Sequence, residues 1–152
     1  MTTDEHMRRD VMANWDDSGD AWKLDQFRKA EAGLRAAREL AGLPPMPRIV
    51  CLCGSTRFFD AFRAANLRLT LAGEIVLSIG CDTKSDAMLG IIAGDGGAVK
   101  AGLDELHKRK IDLADYVLVL NVGGYIGEST RSEIEYAEKV GRPVRYLEEV
   151  TA

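Results

Sequence analysis

Two loops rich in glycine and hydroxyl groups carry the residues of this chain best suited to chemistry. The first is Gly54-Ser55-Thr56-Arg57; the second is Gly123-Gly124-Tyr125-Ile126-Gly127-Glu128-Ser129-Thr130-Arg131, with Glu133 two residues beyond it. Each follows an apolar run and precedes a helical pattern. Each therefore joins the free amides of a helix N-terminus to hydroxyls and an arginine, a combination suited to an anion such as phosphate. Neither is a P-loop, which needs Gly-Lys-Ser/Thr, and neither is the dinucleotide fingerprint GxGxxG. Taken singly, either loop is equally well explained as a tight turn with an N-cap. Two of them facing one crevice weaken that explanation.

Glu133 has two readings. Thr130-Arg131-Ser132-Glu133 has the form of a capping box, threonine at the N-cap and glutamate at N3. Alternatively, its carboxylate stands in the first helical turn, kept ionised by the helix dipole and nearby amides and aimed into the crevice. Beside a sugar C1′ such a carboxylate acts as a nucleophile or stabilises an oxocarbenium-like transition state. His107 lies on the preceding helix, and is either a bystander or a proton donor. Asp112 and Asp115, near that helix's C-terminal end, are unfavourable for the dipole and so are candidates for another task. Asp82, Asp86 and Asp95 read as solvated loop residues. Cys51 and Cys53 share one face of a strand, but no four-ligand spacing accompanies them, and no metal is expected.

The elements that position these residues follow from periodicity. The run at 49–53, IVCLC, is continuously apolar, as in a strand covered on both faces of a parallel sheet. The spacing predicts a helix over 58–73 with Phe58, Phe62 and Leu69 inward and Gly73 closing it, and a strand at 74–79. Gly90, Gly94, Gly96 and Gly97 break the next stretch, which reads as a lid or contact segment. A helix at 103–114, a strand at 116–121, a helix at 129–140 and a strand at 143–147 complete the pattern. Strands alternating with helices at this spacing imply βαβ units. The fold class expected is α/β: a Rossmann-like or flavodoxin-like three-layer sandwich on a parallel sheet of about four to five strands, with an N-terminal helical extension.

Residues 1–46 are expected to form that extension and 47–152 the Rossmann-like domain that carries both loops. Residues 1–20 are polar and aperiodic, expected to be mobile or loosely docked. Over 21–41, Trp22, Leu24, Phe27, Leu34 and Leu40 recur as an amphipathic helical stripe, stopped by Gly42, Pro44 and Pro45. Its expected partner is the domain or another subunit.

With 152 residues, 46% hydrophobic and 29% charged, the composition suits a globular domain. A net charge of −4 argues against a broad nucleic-acid footprint but allows a small phosphorylated ligand. The longest apolar runs are too short to span a bilayer, the N-terminus is too polar for a signal peptide, and three cysteines leave an odd count that suits a reducing compartment. A cytoplasmic protein without membrane contact is expected.

CGSTR after the first strand, LHKRKIDLADYVLVLN, and SEIEYAEKVGRPV at the last helix make the chain resemble the nucleoside 2-deoxyribosyltransferase superfamily, most nearly its nucleotide N-hydrolase branch. The resemblance covers residues 47–147 and rests on the order and spacing of the motifs. It implies a Rossmann-like domain cleaving the N-glycosidic bond of a nucleotide, usually as a homodimer with sites near the subunit interface. Glu133-Ile134-Glu135-Tyr136-Ala137 matches the family's pattern around its catalytic glutamate except at Glu135, and so carries the nucleophile role to Glu133. Cys53-Gly54-Ser55-Thr56-Arg57 matches the loop that contacts the sugar phosphate, and Gly127 and Ser129 occupy the second phosphate loop. Two departures stand out: Cys51 where the family often has tyrosine, and His107 where it has an aspartate that holds the sugar or protonates the base.

The expected activity is hydrolysis of a nucleoside 5′-monophosphate to free base and sugar phosphate, without cofactor or metal. Phosphate would bind at Gly54, Ser55, Thr56, Arg57, Gly127, Ser129, Thr130 and Arg131. Glu133 would attack or stabilise C1′ and His107 or water would protonate the leaving base. Alternatives are sugar transfer to a second base, a phosphoribohydrolase of the cytokinin-activating type suggested by the GGYIG loop, and a non-catalytic nucleotide sensor.

Overall fold

The structure is a computed structural model, and it describes residues 21–79 and 96–151, without the side chains of 21–23. Its contacts divide the chain into two units, Met1–Pro45 and Met46–Ala152. In the first, α1 (Ala21–Leu40) leaves Leu34 and Leu40 exposed, and ends where Gly42 turns the chain with φ 69°.

The second unit is α/β. Its elements in order are β1 (Ile49–Cys53), a 3-10 turn at Thr56–Phe58, α2 (Phe59–Leu71), β2 (Ile75–Leu77), α3 (Gly96–Leu113), β3 (Tyr116–Val119), a second 3-10 turn at Val122–Gly124, α4 (Glu128–Lys139) and β4 (Val144–Tyr146). The four strands form one parallel sheet in the order β2-β1-β3-β4. Every residue of β3 is buried, as are all but the first of β1, which is why both read as unbroken apolar runs rather than alternating ones. On one face Val50, Leu52, Tyr116, Leu118 and Leu120 pack with Phe62, Ala65 and Leu69 of α2. The opposite face turns Cys51 and Cys53 toward α3, and α3 and α4 pack against the sheet and each other there.

Several expected boundaries move. Phe58 lies in the 3-10 turn rather than in α2 and is only half-buried, whereas Phe62 and Leu69 are core. Gly73, with φ 85°, closes α2 as expected: its amide reaches Thr70 O and the Glu74 amide reaches Leu69 O. α3 begins at Gly96, well before residue 103, so Gly96 and Gly97 belong to a helix. The expectations for residues 1–20, Gly90, Gly94, Asp82, Asp86 and Asp95 fall outside the described residues.

Asp112 and Asp115 have structural work, which explains their unfavourable place near a helix C-terminus. Asp115 accepts the Ile49 amide at 2.7 Å while its own amide donates to Ile49 O at 2.7 Å, locking the entry of β3 to β1. Asp112 accepts from the Tyr136 hydroxyl at 2.6 Å and pairs with Arg109 Nε at 2.9 Å, while Arg109 Nη2 donates to the Tyr136 oxygen at 2.8 Å. This triad ties α3 to α4. It also raises the Tyr136 pKa, through burial first and the adjoining carboxylate second.

Candidate functional site

The strand order places the topological switch point between β1 and β3, where the chain leaves one strand for α2 on one face and the other for α4 on the opposite face. In open α/β sheets, ligands bind beyond the carboxyl ends of such strands. A cavity of about 230 Å³ lies there, lined by Gly54, Ser55, Thr56, Lys100, Tyr125, Gly127, Glu128, Ser129, Thr130 and Glu133. The two loops singled out in the sequence thus share one wall-to-wall cavity, with Glu133 in its lining.

Close packing shapes the cavity. A Cβ on Gly54 would meet Leu120 Cβ at 3.2 Å, Leu120 O at 3.3 Å and Phe62 Cζ at 3.4 Å, so any side chain here would push its neighbours back by a few tenths of an ångström where β1 leaves the sheet beside the end of β3. In the second loop Gly123 and Gly124 have φ 62° and 77°, turning the chain back after Asn121. Asn121 is buried, donating through Nδ2 to Glu148 O at 3.0 Å and accepting the Glu148 amide at 2.9 Å; this pins the chain after β4 beside the loop. Tyr125 packs over Gly127, meets Phe58 edge-on at 5.8 Å, and carries the Arg57 guanidinium 4.3 Å above its ring. Arg57 is exposed and absent from the cavity lining, as is Arg131. Of the expected anion-binding residues, Gly54, Ser55, Thr56, Gly127, Ser129 and Thr130 are brought together, and the two arginines are not.

The capping box is absent. Gly127, extended at φ −77° and ψ 175°, is the N-cap of α4, so the helix begins at Glu128 and Thr130 lies inside it, buried. Glu128 takes the first-turn position where the dipole favours an acidic group. Glu133 consequently sits in the second turn rather than at N3. The dipole, which fades beyond the first turn, contributes little to holding it ionised. Its burial at 5% exposure owes nothing to capping, which removes the bland explanation for its position.

His107 stands behind Glu133 and does not line the cavity. Its ring is 3% exposed, and Nε2 lies 3.0 Å from Leu52 O, 3.5 Å from Cys53 Sγ, 3.6 Å from Cys51 Sγ and 4.0 Å from Glu133 Oε1. The hydrogen bond shared by the two thiols pushes Cys53 well above its ordinary pKa and Cys51 below it. Burial and Glu133 raise Cys53 further, while His107 helps to lower Cys51. Among the described residues, Cys51, Cys53 and His107 are the group whose ligand atoms converge closely enough to hold a metal ion, all within 4.8 Å of one another.

Lys100, Tyr125 and Glu128 are cavity residues not assigned to the site from sequence. Lys100 had a legible signal: with Asp104, His107 and Ile111 it makes an i, i+4, i+7, i+11 stripe, and polar residues on the stripe that includes buried Ile111 mark a functional face. No family model and no curated protein matches the chain. No helix among the described residues is long and apolar enough to cross a membrane.

Proposed function

We propose that the protein cleaves the N-glycosidic bond of a nucleoside 5′-monophosphate, with Glu133 as the nucleophile or electrostatic partner of C1′. The observation that carries this reading is the presence of Glu133, a buried carboxylate without a capping role, in the same cavity as two loops of amides and hydroxyls. The phosphate is held by Ser55, Thr56, Ser129 and Thr130, with the Lys100 ammonium as the cation of the lining, a place the sequence assigned to Arg57 and Arg131. Tyr125 offers an apolar face at the rim for the base. Departure of the base leaves a glycosyl carbon that water attacks, and a second base in place of water turns hydrolysis into transfer. Since His107 lies behind the carboxylate, its role is to position and polarise Glu133, and the proton for the leaving base comes from water. The resemblance to the nucleotide N-hydrolases points the same way. A homodimer and a cytoplasmic location belong to this proposal as well.

The test is a panel of nucleoside monophosphates, nucleosides and nucleotide sugars incubated with the purified chain and analysed for free base by chromatography. Base release from a monophosphate, stronger than from its nucleoside, is expected. Saturable binding with no release from any member would favour the nucleotide sensor instead.

A further inference from the structure

Two thiols and an imidazole converge behind the cavity, their ligand atoms all within 4.8 Å of one another. A tetrahedral ion with metal–sulfur bonds of about 2.3 Å and metal–nitrogen bonds of about 2.0–2.1 Å spaces its sulfur and nitrogen ligands about 3.6 Å apart. Cys51 Sγ and Cys53 Sγ lie 3.6 and 3.5 Å from His107 Nε2. The carboxylate closest to the imidazole is Glu133, whose Oε1 is 4.0 Å from the same nitrogen; it stands outside the converged group and must swing toward it to take a fourth corner. These four groups come from β1, α3 and α4, so the packed core brings them to one place.

We propose that Cys51, Cys53 and His107 bind one soft divalent ion of the zinc class, with Glu133 as the fourth ligand. Binding leaves the charge of the buried place unchanged. Each thiol gives up its proton to solvent as the ion enters, so two thiolates cancel the divalent ion, the neutral imidazole adds nothing, and the Glu133 carboxylate leaves the same single negative charge as in the metal-free site. Glu133 is both a ligand and part of the cavity lining, which gives the ion a route in through the cavity. Coordination uses the Nε2 lone pair and therefore the Nδ1–H tautomer, and it requires the ring to turn away from Leu52 O, which now lies 3.0 Å from Nε2. Resting on the glycosidase proposal, the consequence is inhibition: a carboxylate bound to the ion cannot attack a sugar, and the metal-loaded chain releases no base.

The full chain, reduced and stripped of metal, is titrated anaerobically with Co²⁺. Thiolate-to-cobalt charge-transfer absorption and tetrahedral d–d bands are expected to saturate at one equivalent and to disappear when Zn²⁺ is added. Cys51→Ala and Cys53→Ala each weaken binding by at least ~10-fold, the effect that even outer-shell partners have on metal affinity. Cys81→Ala leaves the bands unchanged. If a buried variant fails to fold by circular dichroism, alkylation of the unmodified chain in sub-denaturing urea, where transient opening exposes the buried thiols, decides: Zn²⁺ is expected to slow modification of Cys51 and Cys53 and not of Cys81. No charge-transfer band at one equivalent, bands lost in Cys81→Ala, or no protection of Cys51 and Cys53 overturns the site. Base release by the metal-free chain is measured separately, so its absence counts against the glycosidase proposal while leaving the titration intact. Release that persists at saturating Zn²⁺ overturns the inhibition.

Discussion

Replacing Glu133 with glutamine removes one charge while keeping the shape of a side chain that lines the cavity and packs beside His107. Its effect on rate can be sized. A carboxylate about 4 Å from the positive charge developing at C1′, in an effective dielectric of about 20, stabilises it by about 4 kcal/mol. At about 1.36 kcal/mol per decade, that is roughly a thousandfold in kcat. Loss of a covalent intermediate would add to this. The amide still accepts and donates hydrogen bonds, so folding and nucleotide binding survive, and the loss falls on kcat rather than KM. The assay is free-base release by chromatography under saturating substrate, beside calorimetric binding of the same monophosphate to Glu133→Gln. A variant that binds normally and keeps more than about a tenth of the wild-type kcat refutes the charge argument, since that residue of activity leaves less than about 1.4 kcal/mol for the carboxylate.

Lys100→Ala is expected to raise KM for a nucleoside monophosphate by about tenfold or more, to leave the corresponding nucleoside unaffected, and to weaken the salt dependence of binding. Steady-state kinetics on both substrates at two ionic strengths check this. Gly54→Ala is expected to cost about 1–3 kcal/mol by overpacking, because its new Cβ would stand 3.2 Å from Leu120 Cβ; urea denaturation measures it. Tyr136 has its pKa raised above the ordinary 10.0, so between that value and its higher folded one the unfolded chain loses a proton that the native chain keeps. Stability conferred by this group is therefore full below pH 10 and falls as pH rises further; Tyr136→Phe is expected to cost about 1–2 kcal/mol at neutral pH and to flatten the alkaline decline, read from urea midpoints across pH. Asn121→Ala strips two partners from the Glu148 backbone and is expected to cost about 2–4 kcal/mol by the same denaturation assay.

Much of the fold was legible because its causes are local. β1 and β3 show as apolar runs, Gly73 marks the end of α2 with φ 85°, and the two glycine loops announce the sheet's carboxyl edge. The start of α4 was misread for an equally local reason. Thr130 and Glu133 fit a capping box, but Gly127, lacking a side chain to cap with, took the N-cap through its extended backbone and placed Glu128 in the first turn. The segment before residue 103 looked broken because of its glycines, yet Gly96 and Gly97 lie in the first turn of α3.

From its residues alone, the chain determined that a parallel α/β sheet would form and that two amide-rich loops would meet near a glutamate, since hydrophobic period and turn chemistry act over a few neighbouring positions. Only the tertiary structure decided which charges face the cavity and what stands behind it. Lys100 enters and Arg57 and Arg131 do not, because side-chain direction depends on how α2, α3 and α4 seat on the sheet. His107 meets Cys51 and Cys53 across separations of 56 and 54 residues. No local pattern encodes that meeting; it exists because the register of β1 turns both thiols to the face that α3 covers.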